Sequence, residues 1–118
     1  MLAPFLVFIG GGLGALCRYL LSLLLAQSKF PLATITCNLL GCLLIGLLAS
    51  LIPKGSPSYL CLITGLLGGF TTYSSFSLDS LRLLQDGHFF QVALYLILSL
   101  LGGLLLAWLG FILASSSD

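Results

Sequence analysis

Four apolar stretches, at about 4–26, 31–52, 59–84 and 89–114, take up almost all of this 118-residue chain. A hydrocarbon core about 30 Å thick takes about 20 mostly apolar residues per helix, so each stretch is long enough to cross it. Only helices and closed barrels satisfy their backbone groups in lipid, and unbroken apolar runs lack the alternation of barrel strands. The chain therefore reads as an all-α membrane protein of four transmembrane helices, a single transmembrane domain over 1–118. Polar turns at Gln27-Ser28-Lys29, Pro53-Lys54-Gly55-Ser56-Pro57-Ser58 and Gln85-Asp86-Gly87-His88 separate the spans. No basic stretch precedes the first span, which reads as retained and not as a secretory signal.

The third span contains its own interruption. Gly65, Gly68 and Gly69 precede Thr71, Thr72, Ser74, Ser75 and Ser77, residue types that favour caps over helix interiors. A break in mid-membrane frees carbonyls on the first half-helix and N–H groups on the second, each costing several kcal/mol if left unpaired. The carbonyls suit a cation; the N–H groups, with Thr71 or Thr72 as cap, suit an anion. Discontinuous helices of this sort mark ion sites in transport proteins. The plainer alternative is a kinked helix whose hydroxyls bond back to their own carbonyls. Just past the interruption, Tyr73 and Phe76 lie three apart and share a face. They either pack a core or offer the partly positive edges of their rings to an anion.

Charge is scarce: 6% of residues are charged, with four basic and three acidic side chains, against about 25% in soluble domains. No basic patch exists to follow a phosphate backbone, so no nucleic-acid partner is expected. Lys54 stands on one side of the membrane and Lys29, with Arg82 and His88 near its boundary, on the other, so the residues that fix orientation nearly cancel. Such a chain is expected to insert both ways, and two opposed copies would form a twofold body of the inverted kind common in transporters. Small residues at Gly10, Gly14, Ala33, Cys37, Gly41, Gly102 and Gly103 serve such a dimer or packing within one chain equally well.

Within the spans, Asn38 lies one turn after Thr34 and either glues two helices or offers its NH2 to an anion. Tyr95, Ser99 and Gly103 recur every four residues, as a hydroxyl track or as a packing seam. Arg18 is either a permanent charge at a pore mouth or a snorkelling side chain. Asp79 and Arg82, three apart, are expected to form a local ion pair. Cys17, Cys37, Cys42 and Cys61 show no metal-ligand or CxxC spacing and read as small apolar fillers. A proton-coupled drug exporter needs a titratable acid in its cavity, and Asp79 is the one intramembrane candidate. No nucleophile–base pairing can be placed, so an enzyme is not expected. A non-transporting structural subunit is the third reading.

Three ordered motifs, Gly10-Gly11-Gly12-Leu13-Gly14-Ala15-Leu16-Cys17-Arg18-Tyr19, then Thr34 with Asn38-Leu39-Leu40-Gly41, then Gly65 with Gly68-Gly69-Phe70-Thr71-Thr72-Tyr73-Ser74-Ser75-Phe76-Ser77, resemble the CrcB/Fluc family of fluoride channels over nearly the whole chain. The resemblance implies a passive fluoride-selective channel in the plasma membrane that exports fluoride and lowers its cytoplasmic level. It implies an antiparallel, dual-topology homodimer with two pores and one structural Na+ between the subunits, held by backbone carbonyls of Gly68 and Thr71. By the same carry-over the fluoride pathway falls at Asn38, Tyr73, Phe76, Tyr95 and Ser99, and the vestibule arginine at Arg18. The chain departs from the family pattern at Tyr73, where phenylalanine is common, at Ser75 for threonine, at Ala33 for glycine, and at Gly103, where some relatives extend the hydroxyl track.

Overall fold

The computed structural model describes residues 1–116 and is helical almost throughout. Helix α1 spans Leu2–Leu24 and α2 spans Leu32–Leu51. The third segment opens as a π-helix, Tyr59–Leu67, passes into a single α-turn, α3 (Gly68–Phe70), and resumes as α4 (Tyr73–Gln85) after two extended residues. Helix α5 spans Phe89–Ser115. Three of these, α1, α2 and α5, are long and apolar enough to cross a membrane; the third segment has the length but not the continuity. The element bounds fall within two residues of those read from the apolar runs. The π-helix has no counterpart in that reading, because an unpunctuated run of Leu, Ile and Cys carries no mark of helix type.

Between α4 and α5 the chain reverses through Gly87, at φ 76°. The N–H of His88 donates to Leu83 O at 2.9 Å and that of Gly87 to Leu84 O at 3.1 Å, the paired closure of a helix end that favours glycine in the left-handed region.

Two helix pairs make up the body. Helix α1 runs along the first half of the third segment, residues 59–70, and α2 runs along α5. Both seams are built by glycine. A Cβ at Gly10 would overlap the carbonyl oxygen of Cys61, one at Gly14 that of Leu66, and one at Gly69 that of Gly11. In the other seam, Gly46 abuts the carbonyl of Ala107 and Gly110 that of Leu43. Gly102 and Gly103 face Leu39 and Cys42 on the same pair. Gly10, Gly14, Gly46, Gly102, Gly103 and Gly110 thus all pack within one chain. Close backbone approach of this kind drives helix association where lipid removes the hydrophobic incentive.

The glycines at 65, 68 and 69 do not break the helix, contrary to the sequence expectation. Gly68 and Gly69 are helical, and Gly65 and Gly69 serve the seam with α1, where the Cβ of any other residue would strike backbone. The break falls at Thr71 and Thr72.

The body is a slab of 46 × 33 × 20 Å, and its thin dimension is about two helix diameters. Few side chains are interior: Ile35, Cys37, Ile63, Leu67, Phe76, Leu83, Val92, Tyr95 and Ala114. Large apolar residues such as Phe5, Phe8, Leu104 and Trp108 face outward, as expected of a surface solvated by lipid. All four cysteines are free. Replacing Gly14 by Val should force α1 off its partner and cost roughly 1–3 kcal/mol by overpacking. Gly12→Ala, with open space around it, should be near neutral, and thermal unfolding in detergent compares the two.

Candidate functional site

Thr71 (φ −85°, ψ 155°) and Thr72 (φ −151°, ψ 122°) are extended, so the backbone between α3 and α4 must find partners outside the helical ladder. Thr71 stays with the first half: its N–H and its Oγ1 both donate to Leu67 O, at 3.0 and 2.9 Å. Thr72 caps the second half, its Oγ1 accepting from the Ser75 N–H at 3.1 Å. The kinked-helix alternative describes the Thr71 hydroxyl correctly, while the extended backbone makes the break real.

Asn38 of α2 closes the gap. Its Oδ1 accepts from the Thr72 N–H at 2.7 Å and its Nδ2 donates to Thr72 O at 2.9 Å, a reciprocal pair that also fixes which way the amide points. An amide NH2 has two hydrogens, so one remains for whatever enters the cleft that Asn38 lines. Arg18 of α1 reaches the break: its Nε donates to Gly69 O at 3.2 Å, placing positive charge at the negative end of the first half-helix. The carbonyls of Gly69 and Thr72 are thereby paired. Those of Gly68 and Thr71 lose their usual helical donors, because the Thr72 N–H goes to Asn38 and the Ser75 N–H to Thr72 Oγ1.

Two cavities meet at the break, and Thr72 lines both. The larger, about 340 Å3, is an open cleft reached by Asn38, Gly68, Thr71, Tyr73, Phe76 and Ser99. The smaller, about 230 Å3, is bounded by Arg18, Ser22, Thr34, Thr72 and Ser75. Within the cleft the Ser99 Oγ is buried with no partner among the described residues. Phe76 is buried while Tyr73 is 78% exposed, and their rings are 5.8 Å apart, tilted by 42°. The aromatic chain continues from Phe76 to Tyr95 at 5.0 Å, and from Tyr95 to Phe30 edge-on at 5.6 Å. Tyr95 has no exposed surface. Of the three positions on the α5 stripe, Tyr95 belongs to this ring stack, Ser99 to the cleft, and Gly103 packs against the Cys42 Sγ.

Asp79 departs from expectation. No ion pair with Arg82 forms among the described residues; its Oδ2 accepts instead from Thr34 Oγ1 at 2.7 Å and from Tyr95 OH at 3.2 Å. The three-residue spacing allowed the pair, but two hydroxyls from α2 and α5 hold the carboxylate against the bundle. Neither Thr34 nor Asp79 was assigned to the pathway from the sequence. The available signal was that Phe76 and Asp79, three apart on α4, face the same way.

The profile of CrcB-like protein, Camphor Resistance (CrcB), matches residues 5–111. The chain belongs to the CrcB family. It is similar to the fluoride-specific ion channel FluC of Methylobacillus flagellatus, 47% identical over 114 residues covering 90% of this chain and 89% of that one. The FluC of Prosthecochloris aestuarii is 45% identical over 120 residues, covering 95% and 92%. That of Azobacteroides pseudotrichonymphae is 42% identical over 116 residues, covering 92% and 93%. With three spanning helices and a fourth segment interrupted midway, this CrcB chain is a multi-pass membrane protein.

Asn38→Leu should strand the Thr72 N–H, a loss of about 1–3 kcal/mol, and remove the second donor to the Thr72 carbonyl, which as the N-cap of α4 keeps its intrahelical bond. Asn38→Asp keeps an acceptor for the Thr72 N–H but loses the donor, and should fall between Leu and wild type in thermal unfolding.

Proposed function

We propose that this CrcB chain is a passive fluoride-selective channel that carries fluoride out of the cell across the plasma membrane, down its gradient and with no chemical conversion. The match to fluoride-specific ion channels over about nine-tenths of both chains carries this reading. The broken span supplies the mechanism. Residues 1–118 act as one transmembrane domain, and two copies pair in opposite orientations. A slab 20 Å thin encloses little of a pathway by itself, and the exposed Tyr73 with the open cleft beside it offers the partner a face.

The donor chemistry at the break fits a structural sodium ion. The carbonyls of Gly68 and Thr71 are the ones whose helical donors are diverted, and hard carbonyl oxygens suit a hard cation. A pair from each subunit would hold the ion, whose charge would offset the carbonyl dipoles where the two breaks meet. Asn38 and Thr71 set the carbonyl positions, through the Thr72 clamp and the bonds to Leu67.

Fluoride is strongly hydrated, so the path must replace water with donors in a space too narrow for larger anions. The second Nδ2 hydrogen of Asn38, the Ser99 hydroxyl and the ring edges of Phe76 and Tyr73 provide them, with Tyr95 behind Phe76. Tyr73 adds a hydroxyl where the family commonly has phenylalanine. Arg18, on the smaller cavity, raises the local anion concentration through its positive charge.

Purified protein in liposomes should release fluoride and retain chloride, as read by ion-selective electrodes; equal release would reject the selectivity. Phe76→Ile should slow fluoride efflux on the order of tenfold, equivalent to about 1.4 kcal/mol at the ion's barrier, while the dimer stays intact on gel filtration. Replacing sodium with N-methylglucamine during purification should shift the protein toward monomer, and re-adding sodium should restore the dimer.

A further inference from the structure

A hydroxyl has one hydrogen to donate. Those of Thr34 and Tyr95 both go to Oδ2 of Asp79, at 2.7 and 3.2 Å, so neither is left for a passing anion. The arrangement is held in place on every side. Tyr95 is wholly buried and fixed by the rings of Phe30 and Phe76, and Thr34 lines the cavity that also receives Arg18 and Thr72. Asp79 itself follows Phe76 by three residues on α4 and so stands on the ring's face of that helix. Among the described residues no cation pairs with it: Arg82, one turn on, forms no ion pair, and the Arg18 Nε is engaged with Gly69 O.

A carboxylate oxygen and a fluoride ion ask for the same partners, O–H and N–H donors, and they repel each other. We propose that Asp79 is a tethered competitor for fluoride: it occupies the hydroxyl hydrogens of Thr34 and Tyr95, and the ion passes this point by contesting them. The competition weakens fluoride's hold on the site. A conducting path needs that weakness, because an ion surrounded by good donors enters readily and leaves slowly. Asp79 is thus a specificity- and rate-setting residue, and Tyr95 is a donor that fluoride obtains only at the carboxylate's expense. The inference rests on the fluoride-channel reading.

Two measurements test it. In liposomes, Asp79→Asn keeps the side-chain shape and an acceptor oxygen for both hydroxyls but removes the charge. The fluoride concentration for half-maximal efflux should fall several-fold, with a lower maximal rate, as expected of an ion held longer. Asp79→Glu, which keeps the charge, should move that concentration less than Asn does. An unchanged or raised half-maximal concentration in an efflux-competent Asp79→Asn protein overturns the proposal. The second measurement uses the wild-type chain. It has three acidic residues, all aspartates, so fluoride-minus-chloride infrared difference spectra of protein carrying 13C-labelled aspartate report directly on carboxylate hydrogen bonding. A fluoride-induced shift of the carboxylate stretch that persists when Asp86 and Asp118 are both replaced by Asn supports the competition. Its absence overturns the proposal even if Asp79→Asn does not fold. Wild-type liposomes that release no fluoride would instead overturn the channel reading itself.

Discussion

The reciprocal pair between Asn38 and the backbone of Thr72 is the interaction on which the rest of the site depends. In lipid a broken helix is tolerated only where something re-satisfies the freed groups, since each unpaired group costs several kcal/mol. One amide from α2 takes both the N–H and the carbonyl of Thr72. By taking that N–H it also strips Gly68 of its helical acceptor role, and the Thr72 cap on Ser75 does the same for Thr71. The two carbonyls without helical donors and the placement of Asn38 on the cleft are consequences of a single arrangement. Arg18 finishes it by pairing Gly69.

Such a break needs a rigid frame, and the frame is made of backbone. Helix α1 seats on residues 59–70 through Gly10, Gly14, Gly65 and Gly69, and α2 seats on α5 through Gly46 and Gly110. Neither seam buries many side chains, which is why the interior is thin and large apolar residues face outward. In water this would be a poor core; in lipid, where van der Waals fit between backbones is the incentive for helices to associate, it is the economical one.

Asp79 joins α2, α4 and α5 through the hydroxyls of Thr34 and Tyr95, and the Tyr95 ring also packs on Phe76. The Ser99 Oγ is buried and unpaired in the cleft among the described residues.

The sequence by itself determined the solvent, the number of segments and their bounds, because apolar run length reports directly on bilayer thickness. It also determined that the third segment would be interrupted, since consecutive Thr and Ser after glycine favour caps over helix interiors. The resemblance to the family implied a fluoride pathway at Asn38, Tyr73, Phe76, Tyr95 and Ser99, with Arg18 in the vestibule. What only the tertiary structure decided is which residues break the helix and which pack it. Gly68 and Gly69 read as breakers but are helical, Gly69 because α1 approaches too closely for any other residue, and the break falls one turn later where Asn38 can clamp it. Likewise the spacing of Asp79 and Arg82 suggested an ion pair, and hydroxyls from two other helices, 45 and 16 residues away along the chain, took the carboxylate instead. Local spacing lists the partners a residue can reach along its own helix; only the packing of other helices decides which partner it keeps.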